Sequence, residues 1–325
     1  MASPATTPPA NRVPVGIAAT IKVPATSANL GPGFDSAGVA VGLYDELHIR
    51  TTEAGFRAEV HGEGHNYLPT DGRHLIIAQI RTRLERLGWH LPGLTLEATN
   101  RIPHSRGLGS SAAAHIAAAL AVKALLPPDC GINNHDLLQW ASEAEGHPDN
   151  VAPAVYGGVT FSWHEPGPKE QKHYRCVRLA PHKDITPVVA IPAKPLSTAA
   201  ARTLLPDTVP YAEAVANASR AALLAPAMTT HPALLSSATE DWLHQQYREP
   251  SMPETLRHIR ALRTDGHAAV VSGAGPTLCV FAATTEEATQ VVAKLEQRAA
   301  KSEQRWDVRI LPIATEGATM EVFRP

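Results

Sequence analysis

The segment from Pro103 to Ala113 combines two glycines and three serines in the pattern of a phosphate-binding loop. Glycines let backbone N–H groups approach an oxyanion, and the N-terminus of the following helix adds about half a positive charge. A hydroxyl at Ser110 or Ser111 could cap that helix or ligate Mg²⁺. An ordinary capped helix after a glycine turn remains the alternative. The candidate phosphate loop consists of Pro103, His104, Ser105, Arg106, Gly107, Leu108, Gly109, Ser110, Ser111, Ala112 and Ala113.

Two further loops are rich in turn-forming residues. In the first, Asn29 and Asp35 bracket Gly31 and Gly33, and their polar groups must face solvent or a ligand. The second, at residues 273–276, reads Gly-Ala-Gly-Pro after an apolar strand. Small residues there allow close approach of a ligand or of another backbone segment, and packing against the helix at 112–126 is the alternative. The motif GxxxxGK[ST] is absent, so a nucleotide site here would belong to a different fold from the P-loop proteins.

A cluster of acids closes the helix predicted at residues 136–145. The stretch from Glu143 to Asn150 holds three carboxylates, a histidine and an amide, a combination that suits Mg²⁺ binding or activation of a hydroxyl. His147 by itself is more typical of a structural histidine, and we interpret it so. The sequence therefore places candidate phosphate, metal and hydroxyl chemistry on separate loops that the fold must bring together.

The elements that would position these loops mix helices and strands without strict β-α-β alternation, which predicts an α+β fold. Pro24 to Asp35 is a run of turn formers, and a Pro-rich polar stretch at residues 165–183 is the candidate boundary between two halves. Helices are predicted at residues 112–126, 136–145, 197–204, 211–224, 253–265 and 286–298. Strands are predicted at residues 17–23, 39–49, 94–98, 159–163, 187–191, 268–272 and 277–281, with two more near the C-terminus.

Composition excludes several classes of protein. The 325 residues carry 29 Lys and Arg against 31 Asp and Glu, which leaves no basic field for nucleic acid or an anionic membrane. Three widely spaced cysteines support neither a zinc knuckle nor a disulfide framework, and they suit a reducing, cytoplasmic location. The N-terminus lacks the features of a secretory signal, and the most apolar helix is too short to cross a bilayer. Residues 1–15 are expected to form a mobile tail.

Taken together, the loops resemble the GHMP small-molecule kinases and, among them, the homoserine kinases. PHSRGLGSSAA is similar to the phosphate loop of the superfamily. PATSANLGPGFDSAG, EGHPDNVAPAVYGG and VVSGAGPT, in that order, are similar to homoserine kinases, as are KPLSTAAARTLLP and LHQQYREPSMPE. The resemblance implies an N-terminal domain like ribosomal protein S5 domain 2 at residues 16–165 and a ferredoxin-like C-terminal domain at residues 185–325. It also implies ATP-dependent phosphorylation of L-homoserine to O-phospho-L-homoserine, on the route to threonine.

The resemblance further implies roles for individual residues. The whole loop 103–113 would bind ATP, and Mg²⁺ would be held by Ser110 or Ser111 with Glu145, or with Glu143 in its place. Asp149 or Asn150 would orient the substrate hydroxyl for direct in-line transfer. The residues expected to bind L-homoserine are Asn29, Asp35, Asp149, Asn150, Arg202, Arg248 and Gly273. A homodimer is left open, and the alternatives are a kinase for another small amino alcohol or homoserine analogue, or a non-catalytic ligand sensor.

Overall fold

The structure, a computed structural model, describes residues 11–167 and 171–325. The strands of the N-terminal half are β1 (Asn11–Arg12), β2 (Ala18–Ala28), β3 (Ala37–Thr51), β4 (Gly55–Gly62), β5 (Trp89–His90), β6 (Gly93–Asn100), β7 (Val159–Pro166) and β8 (Lys172–Leu179). The helices of that half are α1 (Leu75–Arg86), α2 (Ser110–Leu125), α3 (Asn134–Glu145) and α4 (Val151–Tyr156). No helix in the described ranges has the length and apolar character needed to span a bilayer.

The C-terminal half continues with a second set of elements. Its strands are β9 (Thr186–Pro192), β10 (Ala269–Val271), β11 (Leu278–Ala282), β12 (Trp306–Ile310) and β13 (Thr319–Phe323). Its helices are α5 (Thr198–Arg202), α6 (Tyr211–Thr229), α7 (Leu235–Ala238), α8 (Pro253–Thr264) and α9 (Thr285–Ala299). The predicted α+β class is confirmed, and helix limits differ from the predicted ones by a few residues, except that α6 continues through Pro226 to Thr229.

A seven-stranded sheet forms the frame of the N-terminal half. Its strands lie in the order β13-β2-β3-β6-β4, and β7 pairs with both β3 and β8. Helix α2 packs beneath this sheet, and eleven of its sixteen residues are buried, so it is apolar around most of its circumference. Ile116 and Leu120 of α2 join Ile77 and Ile80 of α1 in the same core. The buried position of α2 fixes where its N-terminus emerges, beside the end of β2.

The second sheet is the predicted ferredoxin-like unit. Four antiparallel strands lie in the order β10-β11-β9-β12, with α8 inserted after β9 and α9 after β11. Side chains alternate between the two faces of a strand. Accordingly, Val188 and Ala190 of β9 pack with α8 and α9, whereas Val189 and Ile191 join the core of the N-terminal half. The second sheet is thereby packed directly onto the first half, and the chemistry-bearing loops meet at this junction.

Several predicted boundaries are wrong. Pro24 to Ala28 is strand and not turn, because a register shift at Pro24/Ala25 lets β2 continue past a residue that has no N–H. The tail prediction fails at residues 11–15, where β1 pairs with β5 and Val13 is fully buried; its residues 1–10 lie outside the described residues. The stretch predicted as a boundary contains β8, a hairpin partner of β7.

The C-terminal domain predicted at residues 185–325 also needs correction. Strand β13 is not part of the second sheet. It pairs antiparallel with β2 of the first sheet, from Thr319 opposite Lys22 to Phe323 opposite Ala18. The physical reason is that β2 would otherwise offer an unpaired edge to solvent. The chain therefore closes the N-terminal sheet with its last strand.

Candidate active site

The candidate phosphate loop is held between β2 and the 273–276 turn. Gly107 and Gly109 adopt φ angles of 76° and 72°, a region that L side chains rarely adopt. A Cβ on Gly107 would lie 2.2 Å from the Ser272 carbonyl oxygen, and one on Gly109 would lie 2.0 Å from Thr26 Oγ1. The Gly-Ala-Gly-Pro turn thus packs on the phosphate loop itself. The alternative considered above was that it packs on the helix that follows this loop.

The N-terminus of α2 opens into a cleft without a capping side chain. Gly109 occupies the N-cap position, no side chain in the described part of the chain caps it, and the first turn contains no acid. Asn133 caps α3 and Thr284 caps α9, whereas α1 and α4 to α8, like α2, have no side-chain cap among the described residues. Neither Ser110 nor Ser111 caps α2, so that expectation is wrong. Free N–H groups and the helix dipole at this position suit an oxyanion, so the N-terminus of α2 is suited to bind a chain of phosphate groups.

Ser111 and Glu145 form a pair at the mouth of this cleft. Ser111 Oγ donates to Glu145 Oε2 at 2.8 Å. Glu143 points elsewhere, since its Oε1 accepts a hydrogen bond from Gln139 at the exposed surface. A hydroxyl and a carboxylate are hard oxygen ligands of the kind that Mg²⁺ prefers, so the residues present fit a magnesium ion. Of the two glutamates left open by the sequence, Glu145 is the one beside the phosphate loop.

Asp149 lies deeper in the cleft and is almost fully buried. Its Oδ1 accepts from His147 Nδ1 at 2.5 Å and from the Asn150 backbone N–H at 3.0 Å. Burial alone would lower the pKa of His147, but the hydrogen bond and charge of Asp149 outweigh it and raise that pKa. Asn150 is oriented by Thr26, whose Oγ1 donates to Asn150 Oδ1 at 2.8 Å. The result is a rigid set of polar atoms facing the end of α2.

Asp35 and Arg202 form the opposite wall. Both terminal nitrogens of Arg202 donate to the Asp35 carboxylate, at 3.1 and 2.5 Å. Asn29 holds the Asp35 loop to the 273–276 turn, because its Oδ1 accepts from the Asp35 N–H and its Nδ2 donates to the Gly273 oxygen, both at 2.9 Å. Ligand atoms of Asp35, His147 and Asp149 all lie within 4.8 Å of one another. This wall of the cleft therefore carries both positively and negatively charged side chains.

Arg248 is the most unusual side chain of the cleft, being 1% exposed. Its Nη1 donates to the Gly273 oxygen at 3.0 Å, but among residues 11–167 and 171–325 no carboxylate lies within 4.0 Å and Nε has no partner. Burial, and then repulsion from Arg202, lower the pKa of Arg248 to about 10. Both guanidinium carbons lie near the Phe34 ring, 5.5 Å from its centroid for Arg202 and 5.7 Å for Arg248. A buried cation without an anion suits a carboxylate ligand.

One cleft collects most of the predicted site residues. Those lining it are Asn29, Asp35, Ser105, Gly107, Gly109, Ser110, Ser111, Glu145, Asp149, Asn150, Arg202, Arg248 and Gly273. His104 and Ala113 line an adjoining, more apolar cleft together with Tyr67, His74 and Leu75, and Ser110 and Ser111 border both.

The remaining four residues of the predicted ATP-binding loop do not line either cleft. Leu108 and Ala112 are buried in the core, and Pro103 is buried beside them. Arg106 donates to the Ala193 oxygen at 2.6 Å. These residues support the loop instead of facing a ligand.

Comparison with known proteins identifies the family. The family models for the GHMP kinases N terminal domain and the GHMP kinases C terminal match residues 74–158 and 214–301. A homoserine kinase of Streptomyces coelicolor is 45% identical over 93% of this chain and 97% of its own length. One from Streptomyces avermitilis is 48% identical over 86% of this chain and 89% of its own. The chain belongs to the homoserine kinase family.

A solved structure supports the same assignment. The homoserine kinase of Cytophaga hutchinsonii superposes with a TM-score of 0.81 at 25% identity, covering 94% of this chain and 97% of its own. The predicted GHMP kinase fold, with its two parts, is therefore confirmed. The charged cleft lies at the junction of the two domains of this homoserine kinase fold.

Two residues that line the cleft, Phe34 and Thr198, were not among the predicted site residues. Ala274 also lines it, within the 273–276 turn that the sequence offered as a place for a ligand to approach. Thr26, behind the cleft wall, bonds to Asn150 from within a segment predicted as turn. His147 was interpreted as structural, yet it lines the cleft and bonds to Asp149. Its position two residues before a predicted catalytic carboxylate was the available signal. Phe34 carried no signal of its own, since an aromatic beside Asp35 is equally typical of a core position.

Proposed function

We propose that this chain phosphorylates the side-chain hydroxyl of L-homoserine with ATP, and that its cleft binds the two substrates through the residues described above. The product is O-phospho-L-homoserine, on the route to threonine. The observation that carries the site assignment is Arg248, a buried cation that no carboxylate of the described residues pairs with, at the far end of a cleft that begins at the N-terminus of α2. The free cysteines Cys130, Cys176 and Cys279 support a cytoplasmic location as part of the proposal.

The nucleotide end of the proposal uses α2 and its loop. Backbone N–H groups of the loop and of the first turn of α2 bind the β- and γ-phosphates, because their partial positive charge is not used by a cap. The nucleoside extends into the adjoining apolar cleft, whose walls include Tyr67, His74 and Leu75. Mg²⁺ bound by Ser111 and Glu145 would neutralise charge that develops on the transferred phosphoryl group.

The substrate end of the proposal follows from the charges of L-homoserine. Its carboxylate fills the position opposite Arg248 and draws on Arg202, since a guanidinium can donate two parallel hydrogen bonds to one carboxylate. Its ammonium group binds the Asp35 carboxylate, which in this structure is paired with Arg202. The hydrogen bond from Asn29 to the Gly273 carbonyl fixes the positions of the two walls relative to each other. A ligand without both charges would leave one wall unpaired.

Transfer itself depends on positioning. Asp149 and Asn150 orient the hydroxyl toward the γ-phosphoryl group, and Thr26 and His147 hold those two side chains in place. Phosphoryl transfer relies on positioning and electrostatic stabilisation, so a strong general base is not required. Asp149 already accepts three hydrogen bonds at Oδ1, from His147, from the Asn150 backbone N–H and, at 3.5 Å, from Asn150 Nδ2, so it is better suited to orient a hydroxyl than to remove its proton completely.

The test is ADP release with ATP and Mg²⁺ across L-homoserine, L-serine, L-threonine, mevalonate and galactose. Turnover confined to L-homoserine, and lost in Arg248→Ala while nucleotide still binds, supports both the reaction and the site. Turnover of a different amino alcohol contradicts the substrate assignment. Nucleotide binding without turnover of any substrate contradicts the enzyme and supports the sensor alternative.

A further inference from the structure

His115 lies one helical turn after Ser111 on α2, so both side chains share one face of the helix. Glu145, at the end of α3, meets that face. Ser111 Oγ donates to Glu145 Oε2 at 2.8 Å, and His115 Nε2 lies 3.5 Å from the same oxygen. Both groups approach Oε2, so neither occupies Oε1. The side chains of His115 and Glu145 are only 11% and 15% exposed, which strengthens their interaction relative to a surface pair.

Gln79 on α1 holds the imidazole from the other side. Its Nε2 donates to His115 Nδ1 at 2.6 Å. Because an amide nitrogen only donates, Nδ1 is the acceptor, and the ring proton is on Nε2, the nitrogen that faces Glu145. The chain Gln79–His115–Glu145–Ser111 therefore runs from the surface of α1 to the phosphate loop.

We propose that His115 is a positioning residue which, held by Gln79, fixes the carboxylate of Glu145 for Mg²⁺. The inference rests on the proposed function, since it assumes that Glu145 is the magnesium ligand. A neutral imidazole can restrain a carboxylate without cancelling its negative charge, whereas a lysine or arginine there would weaken its attraction for a cation. The opposing interpretation is that His115 only fills space between α1, α2 and α3.

Loss of the imidazole leaves Ser111 as the single described hydrogen-bond partner of the Glu145 carboxylate, which is then less restrained. Groups that orient a metal ligand typically contribute about tenfold or more to metal affinity. The substrate wall at Asp35 and Arg248 is not part of this chain of contacts. The effect of His115 should therefore fall on magnesium and not on L-homoserine, which separates positioning from general destabilisation.

The experiment compares His115→Leu, Gln79→Leu and the double variant with the wild type and with Glu143→Gln as a matched control on α3. Nucleotide affinity is measured by calorimetry in Mg²⁺ and in EDTA, and the Mg²⁺ concentration for half-maximal turnover is measured in parallel. We expect His115→Leu to raise that concentration about tenfold and to reduce the Mg²⁺-dependent gain in nucleotide affinity by a similar factor. Affinity in EDTA and KM for L-homoserine should change less than about twofold.

The double variant tests whether Gln79 acts through His115. Non-additivity, with the double variant equal to His115→Leu alone, is expected. An unchanged Mg²⁺ dependence in folded His115→Leu, or equal losses in kcat and in KM for L-homoserine, would overturn the proposal. If His115→Leu does not fold, Gln79→Leu gives the same comparison. Glu145→Gln distinguishes failure of the metal role from failure of the proposed reaction. Turnover of L-homoserine with normal Mg²⁺ dependence in that variant refutes the metal role but leaves the proposed reaction standing.

Discussion

The guanidinium of Arg202 and the carboxylate of Asp35, 167 residues apart in the chain, form a two-point ion pair across the cleft. Each side chain is a little over one-third exposed, so the pair is accessible to a ligand. Both groups are proposed to bind substrate, and in this arrangement they satisfy each other. Entry of L-homoserine would replace one ion pair by two, provided that the ligand is a zwitterion.

Asp35→Asn is expected to lower kcat/KM for L-homoserine by roughly 10- to 100-fold, because one charge-assisted hydrogen bond to the ammonium group is lost. The decisive measurement is the affinity ratio between L-homoserine and 4-hydroxybutyrate, which lacks the ammonium group. This ratio should be large in the wild type and should collapse in Asp35→Asn. Asp207→Asn, an exposed change near α5, serves as the control. An unchanged ratio would show that Asp35 does not recognise the ammonium group.

Arg248→Met is expected to raise KM for L-homoserine roughly 100-fold without loss of stability. A buried charge has a large desolvation cost, and an apolar replacement of similar length is often neutral or stabilising. We therefore expect the free energy of unfolding in urea to fall by less than about 1 kcal/mol, or to rise. Arg50→Met, at the exposed face of β3, controls for the loss of an arginine. A strongly destabilised Arg248→Met would mean that Arg248 serves the fold and not the substrate.

Asp149→Asn is expected to reduce the single-turnover rate by less than about tenfold, since asparagine keeps an Oδ1 that can accept from His147 and a general base typically contributes 10²- to 10⁴-fold. Quenched-flow measurement of phosphoryl transfer at saturating substrates gives this rate directly. A loss of about 10²-fold or more, with unchanged substrate affinities, would identify Asp149 as a base.

Asp45 predicts a pH effect on stability. Burial raises its pKa to about 6, even though N–H groups of Ile102 and Arg101 donate to it and lower the pKa in part. The folded state then holds this proton more tightly than the unfolded state, so the contribution of Asp45 to the free energy of unfolding falls as pH rises from about 4 to about 6. Asp45→Asn removes that dependence and should retain the hydrogen bonds.

The difference in free energy of unfolding between Asp45→Asn and the wild type should therefore grow in favour of the variant between about pH 4 and pH 7.5, by up to about 3 kcal/mol. Urea unfolding at the two pH values measures it, and all other titrating groups cancel in the difference. A difference that does not vary with pH would show that Asp45 titrates normally in the folded protein.

The local chemistry of the phosphate loop was readable from the sequence, whereas its partners were not. Glycines at 107 and 109 and the alanine-rich helix predict a loop that feeds a helix N-terminus, and the structure has that arrangement. The choice between Glu143 and Glu145 could not be made, because it depends on which face of α3 meets α2. His115 gave no signal, since the role proposed for it depends on how α1, α2 and α3 converge in the fold.

Errors in the predicted fold have a common physical origin. Pro24 and the small residues after it have low strand propensity, but pairing with β3 on one side overrides that preference. The final strand, β13, was expected in the C-terminal domain because neighbouring segments usually pair. Its real partner, β2, is distant in sequence, and no local pattern records such a pairing.

The pairing of β13 with β2 has a consequence for synthesis on the ribosome. Strand β2 emerges early, but the strand that covers its edge is translated about 300 residues later. Throughout that interval the nascent chain exposes an unpaired strand edge, which is a template for aggregation. Completion of the first sheet must therefore follow translation of the second domain.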